Sequence, residues 1–245
     1  MHISFFPEKL IDAWGLPISN TILMSWLTMA FLICFGLFVV SRLRPVPGKM
    51  QNLIEALIEG IEAFMTTVTG DKQKTKRFFP LVATLFIFIL ISNWLGILPG
   101  IGAMGLVKEE GHAIIPFFRS TNSDINMTLA LAIISVAATH IFGISMVGFF
   151  SHFSRFISFK GPIQFFTGVL ELVAEIAKII SFSFRLFGNI FAGEVLLMVI
   201  FFLAPLIVPL PFLFLEIFVG FIQAFIFSYL IVIFYTTATA PAHEH

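Results

Sequence analysis

Residues 163–203 read IQFFTGVLELVAEIAKIISFSFRLFGNIFAGEVLLMVIFFL, forty-one positions with no proline and only five ionisable side chains. A membrane-spanning helix needs about 20 mostly apolar residues to cross a hydrocarbon core about 30 Å thick. As one helix this run would measure about 61 Å. It therefore either breaks or lies far from upright, beyond the usual tilt range of roughly 0–40°. Each charge held in hydrocarbon costs roughly 2.5–3.5 kcal/mol on insertion scales, so it needs a partner or a water-filled path. Five are too many for an inert anchor. Glu171, Glu175, Lys178, Phe182, Arg185 and Asn189 step by four, three, four, three and four, which puts them on one helix face. Glu194 comes nine residues after Arg185, about half a turn out of phase and about 13.5 Å further along the axis. Those two should not pair directly.

Downstream, Pro205, Pro209 and Pro211 mark a turn, and residues 212–235 form another span in which Glu216 and Gln223, seven apart, share a face. The pair 163–203 and 212–235 is expected to form a long tilted hairpin that exposes a polar stripe at mid-membrane. Upstream, residues 22–40, 78–98 and 125–150 each qualify as a span, the last with His140 as its only ionisable residue. Composition agrees: of 245 residues, 58% are hydrophobic and 11% charged, and 33 are Phe, against about 25% charged in ordinary soluble domains. The expected fold is an all-α integral membrane protein, one membrane domain over residues 1–245 with about five transmembrane helices.

Arg42, Arg44, Lys49, Lys72, Lys74, Lys76, Arg77, Arg155 and Lys160 fall on one side if the spans alternate, against Lys9, Lys108 and Arg119 on the other. By the positive-inside rule the richer side is cytoplasmic, with the N-terminus outside and the C-terminus inside. Met1–Gly15 carries Glu8, Asp12 and a single base, Lys9, so a removable signal peptide is not expected. Residues 49–68 differ from the spans. Apolar side chains recur at Met50, Leu53, Ile54, Leu57, Ile58, Ile61, Phe64, Met65 and Val68, with Gln51, Glu55, Glu59 and Glu62 opposite. That is an interfacial amphipathic helix, either packed at the membrane surface or docking a partner on its acidic face.

Several function classes are excluded. Net charge is zero with no basic patch for nucleic acid. The lone Cys34 allows no intrachain disulfide. There is no GxxxxGK phosphate loop, no Cys/His metal spacing and no serine elbow, so neither cofactor nor metal is expected, His243 and His245 in the polar tail included. Individual polar residues keep bland alternatives. Arg185 could belong to a structural ion pair. Glu175 and Lys178 could satisfy each other, and Glu194 and Glu216 could form a structural carboxyl pair. His140 could be a packed polar residue or a proton relay, and Asp124 a helix cap or part of a channel mouth.

Ser181-Phe-Ser-Phe-Arg-Leu-Phe-Gly-Asn-Ile-Phe-Ala-Gly-Glu194 closely resembles the signature of subunit a of F-type ATP synthases. Ser92-Asn-Trp-Leu-Gly-Ile-Leu-Pro-Gly100, Ser123-Asp-Ile-Asn-Met-Thr-Leu-Ala130 and Gln223-Ala-Phe-Ile-Phe227 follow the same family in the right order, so the resemblance covers residues from about 80 to 235. It implies a non-catalytic stator beside a rotating ring of c subunits, assembled with peripheral-stalk b subunits and the other synthase subunits in a bacterial inner membrane. It implies that Arg185 faces the ring between two ion half-channels, with Asn189 and Gln223 as uncharged neighbours. Glu194 and Glu216 would line the outer half-channel, and Glu171, Glu175 and Lys178 the cytoplasmic one. A guanidinium keeps its proton, favours ion release from an approaching ring carboxylate, and bars ions from passing straight between half-channels. The alternative function is a self-contained proton or cation channel, or a secondary transporter, for which internal repeats would be expected.

Overall fold

The computed structural model describes residues 8–13, 16–98, 105–107, 114–153, 156, 161–205 and 207–239. Five helices among them are long and apolar enough to cross a membrane. In chain order the elements are β1 (Lys9–Ala13), β2 (Leu16–Ser19), α1 (Asn20–Ser41), α2 (Lys49–Thr69), α3 (Lys72–Ile97), β3 (Gly105–Val107), β4 (Ile114–Pro116), α4 (Ile125–Val147), α5 (Phe149–Phe153), α6 (Pro162–Leu203) and α7 (Pro209–Ala238). The strands form two small antiparallel hairpins, β1 with β2 and β3 with β4, which the hydrophobic pattern does not foreshadow.

Local chemistry sets the helix ends. Ser19 caps α1 by accepting from the Ile22 N–H, and Asp71 caps α3 by accepting from Gln73 and Lys74. Between them, α2 stops at Gly70, whose φ of 67° suits the left-handed C-terminal cap of a helix. The prolines at 209 and 211 fall inside the first turn of α7, where a missing N–H costs nothing, so that helix starts earlier than the expected residue 212. The expected span 125–150 needs correction. Helix α4 ends at Val147 because Gly148 takes φ 89°, and the chain turns into the five-residue α5. Phe149 and Phe150 extend the apolar run in sequence but not the helix.

Helix α6 is unbroken through 42 residues. It packs on α4 and α7, while α7 also packs on α3. The core between them is aromatic: Phe78 lies 5.0 Å from Tyr235, and Phe182 lies 5.0 Å from Phe227, centroid to centroid. Leucines and isoleucines fill the gaps, Ile89 and Leu186 being fully buried. In lipid, helix association rests on such packing and on interhelical hydrogen bonds rather than on escape from water. Helix α2 divides its apolar face. Ile61, Phe64, Met65 and Val68 pack on the core, whereas Met50, Leu53 and Leu57 stay exposed. Helix α1 is buried only at its start, around Asn20, Thr21 and Met24, and its far end presents Leu37 and Val40 outward, as suits a lipid-facing helix.

Candidate functional site

Helix α6 orders the polar residues into three zones along its length. Arg185 is in the middle. Its Nη2 donates to Ser181 Oγ of the same helix at 3.1 Å, and among the described residues it makes no ion pair. Arg185 is half-exposed, with Ser181, Gly188 and Ala192 exposed on the same row. A Cβ on Gly188 would meet nothing within 4 Å. One turn on, Asn189 Nδ2 donates to Gln223 Oε1 at 2.6 Å, bringing a buried α7 amide beside the arginine's helix. The expected polar stripe is interrupted. Phe182 shares the stripe's face but is buried, with Phe227 and Phe234 around its ring. An aromatic plug thus separates Arg185 from Lys178.

The zone toward the C-terminal end of α6 holds Glu194, with Glu216 facing it from α7. As the spacing requires, Glu194 turns away from Arg185. It pairs instead with Arg119, whose Nε lies 3.3 Å from both carboxylate oxygens and whose guanidinium sits 5.8 Å from the Phe191 ring centroid. In the sequence, Arg119 serves only to count topology. Glu216 is buried, and its carboxylate lies directly against the α6 backbone at Gly193, in the space a Cβ there would fill. The two acids are therefore neighbours on facing helices.

Around them run polar ties that pattern reading misses, the Asn93 bonds being buried and the Trp94 bond exposed. Asn93 Nδ2 donates to Gly220 O at 3.0 Å, Asn122 Nδ2 donates to Asn93 Oδ1 at 2.7 Å, and Trp94 Nε1 donates to Ile217 O at 3.1 Å. Gly96 is glycine for a related reason, since a Cβ would come within 2.6 Å of Ser120 Cβ. The Ser92–Leu98 part of its motif thus ties α3 to α7 and to the turn at 121–123; Pro99 and Gly100 fall outside the described residues. Asp124 caps α4, accepting from Asn126 N at 2.9 Å, and also accepts from Thr21 Oγ1 at 2.8 Å. Being buried, it is occupied by structural bonds between α1 and α4.

The zone toward the N-terminal end of α6 gathers Glu171, Glu175 and Lys178 with His140 around a cleft. Lys178 Nζ lies 2.7 Å from Glu175 Oε1 and 4.5 Å from the Phe234 ring centroid. His140 Nε2 lies 3.7 Å from Glu175 Oε2. His140 Nδ1 is 3.0 Å from Nε2 of His152, which α5 delivers after the Gly148 turn. His152 is absent from the expected site because sequence distance and an unforeseen break hide it. No group of acids, histidines and cysteines among the described residues could hold a metal ion; His243 and His245 fall outside them.

A family profile described as ATP synthase A chain matches residues 22–236. The chain is 38% identical over 242 residues to a Syntrophobacter fumaroxidans protein named ATP synthase subunit a, covering 97% of this chain and 91% of that one. It is 37% identical to the protein of the same name from Desulfosudis oleivorans, covering 99% of each chain. The Geobacter sulfurreducens protein of that name is 37% identical over 92% of this chain and 90% of its own.

Proposed function

The chain belongs to the ATP synthase A chain family, the multi-pass, non-catalytic ion-channel stator subunit of the membrane sector, and from that premise we propose that Arg185 is the fixed charge facing a rotating ring of c subunits. One observation carries the reading. A guanidinium midway along a membrane-spanning helix has no carboxylate partner among the described residues and stands on an exposed row of small side chains. An arginine held at the depth of the hydrocarbon requires a counter-charge or water, and small residues allow another helix to approach closely. A ring carboxylate arriving from a separate chain meets both needs.

On this reading Glu194 and Glu216 line the outer half-channel, and Glu171, Glu175, Lys178 and His140 the inner one. Asn189 and Gln223 hold uncharged hydrogen-bonding groups beside Arg185. The ring carboxylate gives up its ion at the guanidinium, because a nearby positive charge favours the ionised form. An ion cannot bypass the ring, because Arg185 keeps its own proton. Helix α6, about 63 Å long at 1.5 Å per residue, must lie strongly tilted to stay in contact with a core about 30 Å thick. The excess of basic residues on the α2 side supports an N-terminus outside and a C-terminus in the cytoplasm, in the inner membrane of a bacterium. The acidic face of α2 is available to the peripheral-stalk b subunits.

The test is ATP-driven acidification of inverted membrane vesicles, comparing the native chain with Arg185→Ala at equal assembly of the complex. Pumping should vanish in the variant. Normal pumping would make the arginine structural and end the proposal.

A further inference from the structure

Connecting segments ordinarily run over a protein's surface, but the one that carries Arg119 into α4 does not. Ser120, Thr121, Asn122 and Ser123 are all buried. Asn122 Nδ2 donates to Asn93 Oδ1 of α3 at 2.7 Å, and Ser120 packs so closely on Gly96 that a Cβ there would come within 2.6 Å of it. Asp124 closes the segment, accepting from Thr21 Oγ1 of α1 at 2.8 Å while it caps α4. Three helices thus fix the backbone from which Arg119 projects. Its side chain is 11% exposed and reaches α6, where Nε lies 3.3 Å from both oxygens of Glu194. The guanidinium also rests 5.8 Å from the ring centroid of Phe191, three residues before Glu194 on the same helix. An aromatic face attracts a cation, and helical residues three apart are surface neighbours. Ring and carboxylate therefore hold the guanidinium together.

We propose that Arg119 is a positioning residue of the half-channel assigned to Glu194 and Glu216. It fixes the Glu194 carboxylate beside Glu216 and supplies the counter-charge that lets two acids occupy facing helices. This rests on that half-channel reading and adds to it a residue from outside the helices. Stability alone does not account for the arrangement. Replacing a buried ion pair by apolar side chains of similar volume is often neutral or stabilising, so what the pair contributes is a fixed geometry. Glu216 makes no ion pair among the described residues, and its carboxylate is seated against Gly193, the residue next to Glu194. Neighbouring carboxylates repel when both are ionised. Glu194, whose side chain is 30% exposed, is the one with room to swing away. Arg119 opposes that movement from a rigid base. Arg185 cannot take its place, because it lies nine residues back on another face of α6. The ties made by Asn93, Asn122 and Asp124 then have a purpose beyond joining helices, for they hold the base of the arginine. No proton passes through Arg119, which keeps its own; its whole effect is exerted through Glu194.

The experiment uses the assembled complex in inverted vesicles. It measures ATP-driven acidification per complex, together with thermal unfolding, for Arg119→Gln, Arg119→Lys and the double variant Arg119→Gln/Glu194→Gln. Arg185→Ala serves as the control for the stator reading above. Arg119→Gln should pump about tenfold more slowly than the native complex, within the 10²-fold that a 1 Å displacement of a working group costs. Arg119→Lys should recover part of that loss, because it returns the charge without the planar fork. In the double variant the unfolding temperature should climb back toward the native value, since neither member of the pair is left without its partner, while pumping stays at or below that of Arg119→Gln. A merely structural pair requires the opposite, pumping that returns with stability, and that result overturns the proposal. Native pumping by Arg119→Gln overturns it too, as does an Arg119→Lys variant no faster than Arg119→Gln. With Arg185→Ala dead, each of these outcomes leaves the stator reading standing. If Arg185→Ala pumps normally, that reading and the role of Arg119 fall together.

Discussion

Substituting Gly193 by alanine isolates the position of Glu216 from its chemistry. A Cβ at 193 would land inside the van der Waals radii of both Glu216 carboxylate oxygens, so the carboxylate must retreat by on the order of 1 Å to regain ordinary contact. The far end of a glutamate can swing away, so the stability cost falls at or below the low end of the roughly 1–3 kcal/mol typical of overpacking. On the proposed reading function should suffer more, because a 1 Å misplacement of a working group costs up to about 10²-fold in rate. Gly193→Ala is thus expected to assemble at near-native levels and to pump at a small fraction of the native rate in inverted vesicles. Glu216→Asp shortens the side chain by one methylene, which restores the clearance. The double variant Gly193→Ala/Glu216→Asp should therefore assemble at least as well as Gly193→Ala and regain no pumping, because the shortened acid is itself displaced by on the order of 1 Å. Gly36→Ala, where a Cβ meets nothing within 4 Å, is the control for adding a methyl to a helix of this protein. If Gly193→Ala pumps at the native rate, the carboxylate's seat on α6 is irrelevant to conduction.

Two other perturbations test the surroundings of Glu194 and Glu216. Arg119→Gln leaves Glu194 without the guanidinium 3.3 Å away; with Glu194 about a third exposed, the expected loss is about 1–2 kcal/mol, below the 3–5 of a fully buried pair. A thermal-unfolding cycle with Glu194→Gln should recover most of it in the double variant, and strict additivity would mean that the pair is not coupled. Asn93→Ala removes the acceptor of Asn122 and the donor to Gly220. At about 0.6 kcal/mol per interhelical bond, and up to about 1.7, the complex should lose about 1–3 kcal/mol in detergent, and an unchanged unfolding temperature would refute that role for the amide.

The spans were legible because lipid imposes a one-dimensional rule, length and apolarity, that sequence displays directly. Helix α2 was legible because a surface helix must keep a period, although which half of its apolar face meets protein was not. The end of α4 was hidden because Gly148 is one of several glycines in apolar stretches, and only its φ of 89° distinguishes a break from a packing site. That miss concealed His152, whose ring reaches His140 only because the chain turns there. Arg119 was hidden for another reason. Its partner is 75 residues away, and no periodicity connects a loop cation to a helix acid. Phe182 shows the limit of face arithmetic. Its spacing places it with Glu175, Lys178 and Arg185, yet it is buried, because a shared face says which way a side chain points and not what meets it.

The interruption at Phe182 bears on how a stator avoids leaking. A continuous polar groove from the inner cleft past Arg185 to Glu194 would let water, and protons with it, short-circuit the membrane inside one chain. Here the inner acids lie on one side of an aromatic plug made by Phe182, Phe227 and Phe234. Glu194 lies half a turn away on another face of α6, already paired to Arg119, and Glu216 meets that face from α7. Arg185 stands between them, open to the outside of the bundle rather than to either cluster. On the proposed reading, the only carrier that can visit both sides is a carboxylate on the neighbouring ring. Its passage from one half-channel to the other then requires the ring to turn. Enlarging the plug region with a polar residue, as in Phe182→Ser, should therefore raise ATP-independent proton leak through the assembled complex. A variant as tight as the native chain would place the barrier elsewhere, in Arg185 alone.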